Sequence, residues 1–249
     1  MSGHSKWNTI KRKKAVQDTK RSNMFAKLLR AIEVAAREGG GSIQGNMTLA
    51  SAVDKARDFS VPQENIERAI KRGTGEAPGA KYEEVTYEGF GPGGVAVLVE
   101  VLTDNRNRIG QEIRHAFQRQ GGSLAGPGST ARIFTRRGVI VVEKAAAPEE
   151  DRLLEIVLEA RAEDLADSES TWDITTEPGR LKAVRQSLES AGVEVASAEV
   201  TMVPATTVPL GGAQARAVLG MLESLEDMDD VQGVYANFDI PEDVLAEVG

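Results

Sequence analysis

Apolar residues in the first eighty positions recur with the period of an α-helix. Six of them form one stripe at spacings of three and four residues: Phe25, Leu28, Leu29, Ile32, Ala35 and Ala36. This stripe predicts a helix that ends at the glycines 39–41, because glycine adopts the left-handed C-terminal cap at little cost. A second, shorter stripe follows at Leu49, Val53, Ala56 and Phe59. A capping box of Ser60 with Gln63 and a terminal Gly73 predict a third helix.

Beyond residue 80 the apolar pattern alternates between strand-like and helix-like segments. The predicted strands lie at about 85–87, 95–102, 133–134, 139–143, 172–174, 193–203 and 231–238. The predicted helices lie at about 106–120, 149–162, 178–191 and 213–225. This alternation in short units predicts α+β sandwiches with helices on one face of each sheet.

The order of these elements predicts three domains in an α+β chain. The final strand at 231–238 needs partners, and the natural ones are the strands at 85–102. We therefore expect a helical bundle domain at 1–80 and a discontinuous α+β domain made of 81–134 and 205–249. The second α+β domain, 135–204, is acidic and is inserted in the first, and both are expected to be small and ferredoxin-like.

Composition narrows the class of protein. The chain has 249 residues, of which 41 % are hydrophobic and 27 % charged, as in ordinary globular proteins. The longest apolar run, at 95–102, is much shorter than a membrane helix requires. There is no cysteine, which excludes disulfides, zinc–thiolate sites and iron–sulfur clusters. With a polar, basic start that lacks a secretory signal pattern, we expect a cytoplasmic protein without cofactors.

Charge is distributed unevenly along the chain. Residues 1–80 contain 15 Lys and Arg against 8 Asp and Glu, a net charge of +7, whereas residues 81–249 carry −15. The first thirty residues alone hold nine bases and one acid, Asp18. Such asymmetry predicts a basic module for polyanions attached to an acidic body, although a charge run can also be an ordinary solvated helix face.

No motif indicates catalysis. The glycines 89–94 match G-x-G-x-x-G in form but lead into a strand, so they predict a hairpin turn and no dinucleotide site. His4 and His115 lie in no catalytic context, and the acidic residues near Asp229 lack calcium-loop spacing. We therefore expect neither an enzyme nor a metal site.

The basic segment is the candidate nucleic-acid interface, because Lys and Arg neutralise phosphates and release counterions. The candidate contacts are Lys6, Trp7, Lys11, Arg12, Lys13, Lys14, Lys20, Arg21, Lys27, Arg30, Arg68, Lys71, Arg72, Arg106 and Arg108. Trp7 would stack on a base or plug the following helix. Arg68, Lys71 and Arg72 would extend the surface or simply complement the negative end of their helix. Arg106 and Arg108 oppose the positive end of theirs, so this segment is either a second anion contact or an ordinary exposed loop, with Asp104 or Asn105 as the N-cap.

Several long motifs carry a resemblance to a known family. The opening MSGHSKW with Lys11–Lys14 is one, and NIERAIKRGTG at 65–75 is another. The others are YEGFGPGGV at 87–95, LTDNRNR at 102–108, AEVTMVP at 198–204 and the stretch 230–237. On these motifs the chain resembles the YebC/PmpR family of probable transcriptional regulators, which includes relatives described as activators of mitochondrial translation.

The resemblance implies a helical N-terminal domain, two α+β domains and a non-enzymatic regulator of gene expression that binds nucleic acid. It carries over Lys6, Lys11, Arg12, Lys13 and Lys14 as contacts. A DNA-binding transcriptional regulator is the first hypothesis, and a ribosome- or RNA-associated translation factor is the alternative. The chain departs from the family pattern at Arg12, where relatives often carry histidine, and in the loop 125–132. No membrane partner is expected, and the oligomeric state is left open.

Overall fold

The computed structural model describes residues 18–168 and 170–240, with side chains from residue 23 onward. These residues form a mixed helix and sheet structure, which confirms the predicted α+β class. The helices are α1 (Asp18–Gly39), α2 (Met47–Asp58), α3 (Gln63–Gly73), α4 (Arg106–Arg119), α5 (Glu150–Glu159), α6 (Leu181–Ser190) and α7 (Gly212–Glu226). The strands are β1 (Glu83–Phe90), β2 (Ala96–Thr103), β3 (Ser123–Leu124), β4 (Phe134–Glu143), β5 (Asp164–Asp167), β6 (Thr171–Thr176), β7 (Ser197–Pro204), β8 (Val208–Pro209), β9 (Val231–Ala236) and β10 (Phe238–Asp239).

The described chain separates into two compact units. One comprises Arg132–Pro209 with Asn237–Asp239. The other contains residues 18–131, Leu210–Ala236 and Ile240, so that α1–α3 and the first sheet belong to one unit. The division into three domains with boundaries near 80, 134 and 204 stays a prediction.

Helices α1, α2 and α3 bury the predicted stripes against one another, except for Phe59 of the second stripe, which is exposed. Their shared core consists of Leu28, Ile32, Ala35, Ala36, Leu49, Val53, Ala56, Val61, Ile66 and Ala69. Gly73 ends α3 against α1, where an added Cβ would lie only 2.3 Å from the carbonyl oxygen of Glu33 and 2.7 Å from the Cβ of Ala36. The two helices can therefore approach this closely only because residue 73 has no side chain.

The predicted capping box of Ser60 with Gln63 is wrong. Helix α3 has Pro62 as its N-cap and receives no side-chain cap. Ser60 instead has a φ of +58° and donates its N–H to the carbonyl of Arg57, where it closes the preceding helix. Its hydroxyl is thus displaced from the position that an N-cap side chain occupies.

The first sheet combines strands from before and after the 132–209 unit. Its order is β3-β1-β2-β9, with every neighbour antiparallel, and Tyr87 lies opposite Val99 in the central pair. Strand β2 is buried along nearly its whole length, as its continuous apolar sequence requires. Phe117 of α4 packs over Gly89, where an added Cβ would lie 2.5 Å from its ring.

The second four-stranded sheet has the order β5-β6-β4-β7 and is antiparallel throughout. Its elements follow the chain as β4-α5-β5-β6-α6-β7, which is the ferredoxin-like βαββαβ order. Apolar residues of this sheet and of its two helices form a separate core around Ile140, Leu153, Ile174 and Leu188. In the same unit β8 and β10 form a short parallel pair.

Candidate nucleic-acid interface

Most of the predicted basic segment lies outside the described residues. This holds for Lys6, Trp7, Lys11, Arg12, Lys13 and Lys14. Lys20 and Arg21 lie in α1, but their side chains are outside the described part. The contact of these residues with nucleic acid stays a prediction.

Lys27 and Arg30, further along α1, are directed at the segment that precedes β9. Lys27 donates to the main-chain carbonyl of Glu226. Arg30 donates to the carboxylate of Asp230 at 2.7 Å and to the carbonyl oxygens of Asp229 at 2.8 Å and Leu102 at 3.1 Å. Both cations therefore have internal partners: Lys27 joins α1 to the end of α7, and Arg30 joins it to β2 and to the segment before β9.

The cations of α3 divide between internal and exposed positions. Arg72 donates to Glu33 at 2.8 Å, and this carboxylate is 2 % exposed and is also bonded by Arg37. Arg68 pairs with Glu64 on the exposed helix face, and Lys71 is exposed. Arg72 thus neutralises a buried acid, whereas Arg68 and Lys71 face solvent.

Arg106 and Arg108 both lie in the first turn of α4 but have different surroundings. Asn105 is the N-cap, with its side chain accepting from the N–H of Arg108 at 3.1 Å, which settles the choice between Asp104 and Asn105. The guanidinium of Arg108 donates to Asp230 at 2.6 Å and to Asp104 at 3.2 Å. Thr103 adds a third hydrogen bond to Asp230 at 2.7 Å, so that this buried carboxylate is fully engaged.

Arg106 is placed differently and lines a surface groove between β1 and α4. The groove has a volume of about 470 Å³ and is lined by Tyr87, Arg106, Asn107, Gly110, Gln111, Arg114 and Leu124. The hydroxyl of Tyr87 donates to the main-chain carbonyl of Arg106 at 3.2 Å. Arg106 and Arg114 are both exposed, and within the described part of the chain neither forms an ion pair.

Sequence reasoning identified Arg106 but missed Arg114 and Tyr87. Arg114 lies eight residues after Arg106 on the same predicted helix, a spacing that brings two residues near one side of it. The position of Tyr87 beside them depends on how the helix packs on the sheet, which no local pattern gives.

The loop 125–131 is held from the other face of β1 by Glu88. Its carboxylate accepts from the main-chain N–H groups of Gly128 and Thr130 at 2.6 Å and of Ala131 at 2.8 Å. Burial opposes ionisation of Glu88, but these bonds and the Thr130 hydroxyl outweigh it and hold the pKa of the carboxyl below its usual value of 4.5. Glu88 therefore fixes the conformation of the loop 125–131.

The described residues contain no cluster of three or more His, Asp or Glu side chains that would hold a metal ion. None of the described helices is long and apolar enough to cross a membrane.

The fold and these motifs place the chain among the proteins that combine a helical N-terminal domain with two α+β domains. Residues 5–76 match the TACO1/YebC protein N-terminal domain, and residues 82–238 match the TACO1/YebC second and third domain. The chain belongs to the TACO1/YebC family, which confirms the resemblance found in the sequence.

The similarity to individual relatives extends over the whole chain. A probable transcriptional regulatory protein from Rubrobacter xylanophilus is 55 % identical over 100 % of this chain and 99 % of its own length. One from Salinispora arenicola is 54 % identical over the full length of both. The crystal structure of a conserved hypothetical protein from Aquifex aeolicus is 44 % identical, covers 92 % of this chain and 94 % of its own, and superposes with a TM-score of 0.78.

Proposed function

We propose that this chain is a non-enzymatic regulator of gene expression that acts in the cytoplasm by binding nucleic acid. The observation that carries the proposal is the full-length similarity to relatives named probable transcriptional regulatory proteins. The net charge of +7 on residues 1–80, against −15 on the rest, supports the helical N-terminal domain as the binding part. We propose duplex DNA as the target and transcription as the regulated process.

A translation factor that binds the ribosome or RNA is the second candidate. The TACO1/YebC family resemblance extends to relatives described as activators of mitochondrial translation. The acidic body of the chain also favours a site beside basic ribosomal proteins, because opposite charges attract across an interface. The same basic segment would then bind ribosomal RNA.

The binding role of the basic segment is tested by charge reversal. We expect Lys11→Glu, Arg12→Glu, Lys13→Glu and Lys14→Glu together to abolish binding to nucleic acid, because four phosphate contacts become repulsive. A matched control reverses four exposed bases outside residues 1–80, namely Arg136, Arg152, Lys182 and Arg185. Fluorescence anisotropy measures the affinity, and circular dichroism verifies that both variants are folded. Equal affinities for the two variants would move the binding site away from the N-terminal segment.

DNA and the ribosome are distinguished by the affinity for three ligands and by sedimentation. Preference for duplex DNA over single strands and ribosomal RNA, with DNase-sensitive retention on DNA, supports the transcriptional proposal. Sedimentation of the protein with ribosomes in a sucrose gradient, resistant to DNase and to moderate salt, would replace it with the translational one.

A further inference from the structure

We propose that the groove between β1 and α4 binds a single-stranded segment of nucleic acid, with Arg106 and Arg114 on its phosphates and Tyr87 against a base. The inference rests on the proposed function, and it adds to the basic N-terminal segment a second contact surface on the first sheet domain. In this proposal Arg114 replaces Arg108 as the partner of Arg106 in anion binding, because Arg108 is bonded to Asp230 and does not line the groove.

The charge of the groove favours an anionic ligand. Its lining residues include two arginines and no acidic residue, although residues 81–249 contain 30 Asp and Glu against 15 Lys and Arg. Arg106 occupies the first turn of α4, where a cation opposes the positive end of the helix dipole. For Arg108 the carboxylates of Asp230 and Asp104 offset this cost. Arg106 has no such partner among the described residues, and a bound phosphate would supply one.

The spacing of the two arginines favours a chain of phosphates over a single one. They are eight residues apart on one helix, which corresponds to about 12 Å along its axis at 1.5 Å per residue. One phosphate group cannot contact two side chains at that separation if both extend directly outward. A polynucleotide backbone presents successive phosphates along such a length.

The remaining lining residues favour unpaired bases. The ring of Tyr87 is half-buried at the groove, and its hydroxyl bond to the carbonyl of Arg106 fixes its orientation. A base can stack on an aromatic ring in this way only when it is not enclosed in a duplex. Asn107 and Gln111 line the same groove with amide groups that can both donate to and accept from base edges or sugar hydroxyls.

The test uses the full chain and three labelled probes of one sequence, a 12-nucleotide single-stranded RNA, the same strand as DNA, and its DNA duplex. We expect Arg106→Ala with Arg114→Ala to weaken single-strand binding about tenfold and to reduce the slope of log affinity against log salt by about 1.4, for two lost phosphate contacts. The matched control is Arg152→Ala with Arg185→Ala, which removes the same charge from exposed positions in the other unit. It should change the affinity less than twofold.

The contribution of the ring is tested separately. We expect Tyr87→Leu to weaken single-strand binding about tenfold, because a stacking surface is lost. Tyr87→Phe should weaken it much less, because the ring remains and only the hydroxyl bond that orients it is lost. Anisotropy titrations give the affinities, and thermal melts followed by circular dichroism verify that each variant is folded. Equal losses on single strands and on the duplex would overturn the assignment of unpaired bases.

Different experimental results would overturn the proposed function and the assignment of the groove. If the Lys11, Arg12, Lys13 and Lys14 variant loses binding while the Arg106 and Arg114 variant behaves like its control, the proposed function stands and the groove assignment is overturned. If the unmodified protein binds none of the three probes, both are overturned. If the Arg106 and Arg114 variant loses more affinity for the single-stranded RNA than for the same strand as DNA, the groove assignment is supported and RNA is identified as its ligand.

Discussion

Single residues in this protein owe their roles to partners distant in the chain. The carboxylate of Glu88 accepts from three main-chain N–H groups some forty residues later, those of Gly128, Thr130 and Ala131, and these bonds keep it ionised in a buried position. The pair Arg106 and Arg108 shows the same point, because two exposed arginines in one helical turn have different partners. One is bonded to Asp230, and the other is exposed at a groove.

Glu88→Gln should destabilise the protein by about 2 kcal/mol, since a neutral amide makes weaker bonds to the main-chain donors and turns an N–H₂ group toward some of them. The carboxyl pKa is lower in the folded protein, so its contribution is complete above the unfolded value of about 4.5. It is lost as the pH falls through the folded value. The difference between the parent and the variant in urea unfolding should therefore be full at pH 7 and shrink below about pH 4.5.

Glu84→Gln serves as the control, because Glu84 is exposed and lies on the same strand. It should change the free energy of unfolding by less than about 0.5 kcal/mol. A Glu88→Gln variant as stable as this control at pH 7 would contradict the stabilising role of the carboxylate.

At the scale of elements, the apolar stripes predicted the helices well, whereas the helix caps and the short strands were harder to predict from the sequence. The three helices of the bundle bury the stripes that the sequence indicates, except at Phe59, which is 37 % exposed. Strand β5 was missed, because the sequence Asp164-Leu165-Ala166-Asp167 contains no β-branched or aromatic residue. It is a strand because β6 offers a paired edge along its whole length.

Asn46 joins two helices and allows a test at this scale. Its Oδ1 caps α2 through the N–H of Leu49 at 3.0 Å, while its Nδ2 donates to the carbonyl oxygens of Ala35 at 2.7 Å and Gly40 at 2.9 Å. Asn46→Ala should therefore destabilise the protein by about 3 kcal/mol, because a helix cap and two further bonds at a buried position are lost together.

Asn105, an exposed N-cap, provides the comparison, because its side chain makes only the cap bond among the described residues. Asn105→Ala should cost about 1 kcal/mol in the same urea titration. Equal costs for the two substitutions would mean that the bonds from Asn46 to α1 contribute nothing.

At the scale of the whole molecule, Asp230 connects the helical bundle to the first sheet. Its buried carboxylate accepts from Arg30, 200 positions earlier in the chain, and from Arg108 and Thr103. The guanidinium of Arg30 also lies 5.0 Å from the ring centre of Tyr82. These contacts explain why α1–α3 and the first sheet form one compact unit.

Asp230→Asn should destabilise this unit by about 2–3 kcal/mol, because the guanidinium of Arg30 loses its carboxylate in a largely buried position while Arg108 is half exposed and loses less. Looser docking should also speed trypsin cleavage after the exposed Lys81, between α3 and β1. Urea unfolding and timed proteolysis measure the two effects. Asp227→Asn, an exposed control close in sequence, should leave both unchanged.

The amino-acid sequence by itself determined the helical stripes, the α+β class, the family and the separation of charge along the chain. Periodicity and composition are local properties, and they persist whatever the chain packs against. Only the tertiary structure decided which basic side chains have internal partners, because Arg30, Arg72 and Arg108 bind carboxylates up to 200 residues away. It also decided that Arg106, Arg114 and Tyr87 meet at one groove, since that contact depends on how α4 packs on β1.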